Sequence, residues 1–360
     1  MSKRGWLALG LALALLCSTT RAAPAVQTLP FIALTDFLRV TSNIRLGEVA
    51  GVAVTVTPKP RVYVFSRNGN VTGPAFGAAA AQLLEFDLVS GKFVREIGKD
   101  AYAWSFAHAV RVDKDGNIWA VDSGSDTVVE FAPDDGRVRM VFGRKKPAAD
   151  EALPWKHLMT PLDAIDGQFR QPTDVTWNSK GDIFISDGHI NSRIAKYNKN
   201  GDWVKSFGQP GSAHGDFNIP HNLVTDANDN LYVADAGNKR IQVFNEKGNF
   251  VREISITEPV PSDAVPWMGN KADAVANVPW ALCITPLTSS SSTQYLFVAD
   301  AFPGRIYKLS LDGQLLGMYG QSGRQAGQFG WIHALACRSE TELYVADLLN
   351  WRVQKLVQAQ

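Results

Sequence analysis

The chain has 360 residues, 45% of them hydrophobic, with 36 basic against 35 acidic side chains and a formal net charge of +1. A charge so near balance, with no basic block, gives no footing to a nucleic-acid partner or to an anionic membrane surface. The length and apolar content suit one large globular domain or two ordinary ones.

At the N-terminus Lys3 and Arg4 precede an uncharged apolar run from Trp6 to Leu16, and small residues follow in "TTRAAPA". This is the layout of a secretory signal peptide, read here as residues 1–23, followed by an N-terminal segment over 24–36. The apolar run falls well short of the roughly 20 residues that span a bilayer. Leu16, directly before Cys17, argues against a lipoprotein signal. The expectation is an exported monomer, periplasmic or secreted, cleaved near residues 23–26, with no membrane insertion. Cys283 and Cys337 remain after the leader. In an exported protein two cysteines either pair or sit as small buried hydrophobes.

From about residue 37 to 358 the chain repeats itself at a period of roughly 40–60 residues. The unit "PHNLVTDANDNLYVADAGNKRIQVF", Pro220 to Phe244, shows the pattern: short alternating apolar and polar runs separated by polar turn pairs. Such runs read as four-stranded antiparallel sheets, not helices. A sheet so small cannot bury both faces alone, and radial closure into a propeller solves this. The expected fold is therefore all-β, a six-bladed β-propeller. The sixth unit stops after three strands, and its outer strand is expected from the N-terminal segment around "DFLRV". Two segments fall outside the period, 144–167 and 257–277. Long loops on a rigid scaffold are candidate borders of a functional site.

Aligned on the first strand of each unit, one position holds Ala50, His108, Thr173, His221, Trp280 and His333. Histidine thus occupies alternate units, at spacings of 113 and 112 residues. First strands line the channel of a propeller, so the three imidazoles converge near one mouth. Three neutral imidazoles with a fourth position open form a catalytic metal pattern, zinc ahead of iron or copper by ligand type. The aspartates Asp122, Asp187, Asp235, Asp300 and Asp347, and the arginines Arg193, Arg240, Arg305 and Arg352, recur blade after blade. They read as groups that close turns and bridge strands, not as catalytic acids.

Departures from the repeat point elsewhere. Unit three has "DGHINSR" where units four and five have "DAGNKR" and "DAFPGR", one residue fewer. The extra residue is expected to push His189 out of its turn, as a general acid or base if that turn lies on the histidine mouth, and otherwise as an exposed loop residue. Arg67 replaces the recurrent aspartate in unit one. A lone cation there suits an anionic substrate group. His157 and His214 lie in connecting segments and are expected to face solvent.

Units of the "VADAGNKRIQVF" type are NHL repeats. Through "GEVAGVAV", "FRQPTDV", "SDGHINSRI" and "FNIPHNL" the chain, from about Gly47 to its end, resembles the peptidyl-α-hydroxyglycine α-amidating lyase family. That resemblance implies zinc at His108, His221 and His333, a substrate contact at Arg67, and a channel calcium held partly by the Val52 and Val110 carbonyls. It also implies release of glyoxylate from a hydroxylated C–N substrate and a separate monooxygenase as partner. Three positions depart from the family pattern: His189 stands for its catalytic tyrosine, Ala236 for a second arginine, and Ala334 for an acid that would ligate calcium. The functional expectation is an exported, divergent zinc lyase acting on a small-molecule or peptide substrate in the channel. The alternatives are another metal-dependent propeller hydrolase, lactonase-like, and a non-catalytic binding propeller.

Overall fold

The computed structural model describes residues 26–55, 59–67, 81–145, 160–266, 275–289 and 291–359. The leader and His157 lie outside these residues, as does much of the 144–167 segment.

Six four-stranded antiparallel sheets form the blades of a propeller. Their innermost strands are Val49–Val54, Ala107–Val112, Asp174–Trp177, Pro220–Thr225, Pro279–Ile284 and Ile332–Ser339. In blade four the chain continues outward through Leu231–Asp235, Arg240–Phe244 and Phe250–Ile254. Burial falls along that path: the second and third strands are buried throughout, whereas Phe250–Ile254 alternates.

Successive side chains of a strand point to opposite faces, so each blade feeds two interfaces. In Arg61–Arg67, Val62 and Val64 pack toward blade six beside Tyr344 and Ala346. Tyr63 and Phe65 pack toward blade two beside Ile118 and Phe131. Among the described residues one apolar cluster lies at each of the blade junctions, the last joining blade six to blade one. The core is thus a ring of inter-blade seams.

Ring closure differs in detail from the sequence expectation. The outer strand of blade six is Phe31–Leu34, antiparallel to Arg352–Gln358 with Phe31 opposite Gln358. The propeller therefore begins inside the 24–36 segment, ahead of residue 37. Residues 37–39 of "DFLRV" lie instead on a turn of blade one, where the Arg39 amide donates to the Gly91 carbonyl at 2.7 Å. Phe37 packs edge-on against Tyr344. A side chain on Gly91, at φ +67°, would collide with the Phe37 carbonyl. Cys283 and Cys337 are joined as a disulfide, with Cα atoms 5.7 Å apart, tying the innermost strands of blades five and six.

The recurrent Asp–Arg pairs serve the blades, as expected. Asp235 accepts the Asn218 amide at 2.7 Å and Arg240 Nε at 2.8 Å, and Arg240 reaches on to the Ala213 and Asp216 carbonyls. Asp187 with Arg193 and Asp347 with Arg352 repeat the arrangement. Each pair fastens the incoming inter-blade segment to its own sheet.

Candidate metal centre

The register of the innermost strands explains how histidine side chains enter the channel. At His108, His221 and His333 the pairing with the second strand shifts by one residue, a β-bulge. Ala50 and Trp280 sit at the same shift in blades one and five. A bulge leaves one residue unpaired and re-aims its side chain. That local kink turns a residue from the blade seam toward the axis.

Each bulged histidine is then fixed by the following blade. His108 Nδ1 donates to the Thr173 carbonyl at 2.6 Å, His221 Nδ1 to the Trp280 carbonyl at 2.8 Å, and His333 Nδ1 to the Ala50 carbonyl at 2.7 Å. The acceptors occupy the equivalent register position one blade on. A carbonyl can only accept, so the proton resides on Nδ1 and the Nε2 lone pair is free to bind. The rings stand 4.7 Å apart for His108–His221 and His108–His333, and 4.9 Å for His221–His333. The three predicted ligands therefore meet.

His189 joins them. Pro220 pairs with Asp235, so the turns that follow the second strands share the face on which the inner histidines lie. The turn after Asp187 delivers the His189 Nε2 to 3.1 Å from His108 Nε2. His108, His189 and His221 have ligand atoms all within 4.8 Å of one another. His333 stands alongside, its ring against those of His108 and His221. Burial, and after it the Arg67 charge, pushes His189 down to about 4 and His333 to about 3. His108 and His221 fall well below the ordinary imidazole value, through burial and then repulsion by the other histidines. Three neutral imidazoles with inward Nε2 lone pairs, and a fourth whose Nε2 faces that of His108, form a donor set suited to zinc or a similar borderline cation.

Arg67 is buried at the edge of this group but is not the lone cation expected. Its Nη1 pairs with Glu48 at 2.9 Å, its Nε donates to the Ala107 carbonyl at 2.9 Å, and its guanidinium lies 3.6 Å over the Phe106 ring. Sequence reasoning missed Glu48 because the partners are 19 residues apart on different elements. It also missed an aromatic wall: Trp280 stands edge-on to His221 at 4.5 Å and 5.2 Å from Trp331. Trp280 shares the histidine register, which was the available signal. The 160–167 part of the first long loop packs on the turn that carries His189, where the Leu162 amide donates to Asn191 and Arg193 donates to the Leu162 carbonyl. His214 is mostly exposed and stacks on Phe250 at 4.2 Å, away from the centre.

Further along the channel Arg111 spans the ring. It forms a bidentate pair with Asp174 at 2.9 and 2.5 Å, and reaches Asn222 at 3.0 Å and the Leu335 carbonyl at 3.4 Å. The expected calcium would sit on the carbonyls of Val52 and of Val110, the residue before Arg111, with an acid at 334. Here Ala334 supplies no carboxylate, and a fixed guanidinium reaches the carbonyl of the next residue. With its charge balanced by Asp174, this guanidinium competes with a calcium ion by occupying the Asp174 carboxylate and the Leu335 carbonyl. The opposite mouth is a cavity of about 240 Å³, lined by residues of all six innermost strands, including both disulfide cysteines.

Comparison with known proteins agrees with the repeat. Residues 217–244 match the NHL repeat. The chain is a six-bladed propeller that carries an NHL repeat in its fourth blade. This propeller is 30% identical over 240 residues to "Peptidyl-glycine alpha-amidating monooxygenase A" of Xenopus laevis, covering 60% of the chain and 23% of the relative. It is 26% identical over 342 residues to "Peptidyl-alpha-hydroxyglycine alpha-amidating lyase 1" of Drosophila melanogaster, covering 88% and 58%. The chain thus spans about a quarter of the length of the frog relative and under two thirds of the fly one. Among solved structures, a streptogramin B lyase superposes with a TM-score of 0.55 at 14% identity, covering 91% of this chain and 98% of that one. At that identity the likeness concerns the fold alone.

Proposed function

We propose that this NHL propeller is an exported, divergent zinc lyase that cleaves the C–N bond of a peptidyl-α-hydroxyglycine-type substrate and releases glyoxylate. The observation that carries the reading is the convergence of three imidazoles whose Nδ1 atoms are locked on backbone carbonyls, leaving Nε2 as the donor atom of each. The similarity to proteins named as amidating lyases supports the substrate class. The disulfide supports an oxidising compartment, in keeping with the leader-like N-terminus.

Zinc, held by His108, His221 and His333, would lower the pKa of a bound hydroxyl group. His189, neutral and adjacent, accepts the hydroxyl proton as the C–N bond breaks and returns it to the departing amide nitrogen. The products are an amide and glyoxylate, with no proton gained or lost overall. Arg67 attracts the substrate carboxylate, although Glu48 already holds one of its nitrogens. Ala236 contributes no second cation, so carboxylate recognition rests on Arg67. The substrate in this reading comes from a separate monooxygenase, and the propeller works as a monomer.

The test is incubation of the purified protein with a peptidyl-α-hydroxyglycine, following glyoxylate with zinc restored and with chelator. Zinc-dependent release that His221→Ala abolishes is the expected result. No release from protein that retains zinc assigns the centre to another reaction, while protein that takes up no metal leaves a binding propeller.

A further inference from the structure

The turn that carries His189 is built to hold that side chain still. Gly188 presses on the innermost strand of blade four so closely that a Cβ would come within 2.2 Å of the Pro220 carbonyl, one residue before His221. The His189 amide donates to the Gln171 carbonyl at 3.3 Å. Asn191 and Arg193 both donate to the buried Asp187 from the far side of the turn. The one-residue insertion between Asp187 and Arg193 is therefore absorbed in a braced turn, and His189 is delivered over the channel with its Nε2 facing that of His108.

The cluster is over-supplied with acceptors. The Nε2 atoms of His108, His221 and His333 all carry lone pairs, because their protons are committed at Nδ1. The single N–H of a neutral His189 Nε2 satisfies one of them, at His108. A cation satisfies all of them at once. In a tetrahedral centre with metal–nitrogen bonds of about 2.0–2.1 Å, donor atoms lie about 3.4 Å apart and ring centres about 5 Å apart. The observed His108–His189 Nε2–Nε2 separation is 3.1 Å, and the ligand atoms of His108, His189 and His221 lie within 4.8 Å of one another. Five of the six ring pairs stand 4.7 to 5.7 Å apart; the sixth, His189–His333, is wider, so these two rings draw together when a cation binds.

We propose that His189 is a fourth metal ligand, so that in the absence of substrate the centre holds its cation through His108, His189, His221 and His333. The inference rests on the metal-centre reading above and adds to it. The substrate-free site is closed, and an incoming hydroxyl group must take the place of His189. A closed four-imidazole shell leaves no position for water, unlike a three-histidine centre. It also gives His189 a reason to stand beside the reacting atoms when displaced, where it is placed to take the proton.

The experiment uses the whole protein stripped of metal and titrated with cobalt(II), whose visible ligand-field bands report coordination. Wild type is expected to show a tetrahedral four-nitrogen spectrum that does not change with pH across neutrality. His189→Ala is expected to bind cobalt at least ~10-fold more weakly, with a shifted spectrum that titrates as a water enters the open position. Added imidazole should restore the wild-type bands. Circular dichroism of the metal-free variant checks its fold, and His214→Ala is expected to match wild type. Cobalt uptake abolished by His221→Ala but unaltered in affinity and spectrum by His189→Ala overturns the fourth ligand alone. No uptake by wild type overturns the metal centre along with it.

Discussion

Replacing both disulfide cysteines, as Cys283→Ala with Cys337→Ala, should destabilise the propeller by an amount set by chain separation. The cross-link joins residues 54 apart. Closing a loop of that length removes about 4 kcal/mol of denatured-state entropy in the chain-entropy treatment. Most of the effect thus belongs to the unfolded chain, and the native ring keeps its blade five–blade six seam, where Phe297, Ile306, Leu335 and Leu343 pack around the bridge. Equilibrium urea unfolding, read by tryptophan fluorescence, is the assay. Extrapolated stability should fall by about 4 kcal/mol, and the slope m should rise because the unlinked chain exposes more surface. A loss under ~1 kcal/mol with m unchanged would refute the reasoning, since the cross-link would then not constrain the denatured ensemble.

Asp300 offers a pH test. Burial, outweighing the Gly304 and Arg305 amides and the Tyr307 hydroxyl, raises its carboxyl to about 6. The native state therefore holds a proton that the unfolded chain releases near 3.9, and the associated stability is full below that pH and lost as pH rises through 6. Asp300→Asn should flatten stability against pH by about 3 kcal/mol between pH 4 and 7; parallel curves for the two proteins would contradict this. Arg240→Met strands the fully buried Asp235 and should cost about 3–5 kcal/mol. Adding Asp235→Asn should recover part of that loss, and additive losses on urea unfolding would show that the pair is not coupled. Gly188→Ala drives a methyl into the Pro220 carbonyl. It should cost about 1–3 kcal/mol and weaken cobalt affinity by displacing the turn; unchanged affinity would detach that turn from the centre.

The blades were legible in the sequence because alternation and turn pairs are local, and because six approximate copies make a register visible. The histidine register was legible for the same reason, since only comparison between units separates His221 from an ordinary strand-end histidine. The bulge that aims it was not, because a one-residue shift is a property of two strands and leaves no mark in one. Arg67 looked alone for a similar reason: Glu48 is distant in the chain and adjacent only once blade one folds. The clasp was misplaced by a few residues because "FIAL" is only four residues long, whereas Phe37 in "DFLRV" is an apolar residue with a different use, packing on Tyr344. His189 was singled out by an insertion, but its closeness to His108 depends on how Gly188 seats the turn.

The three carbonyl latches have a consequence for the mechanics of the ring. Blades two, four and six present the imidazoles, and blades three, five and one hold them. Each latch crosses a seam, so an ion drawing on three Nε2 atoms would load alternate junctions like spokes pulled toward a hub. Affinity at that hub then becomes a gauge of circumference: loosening any blade, even at its rim, lengthens a spoke and registers at the axle.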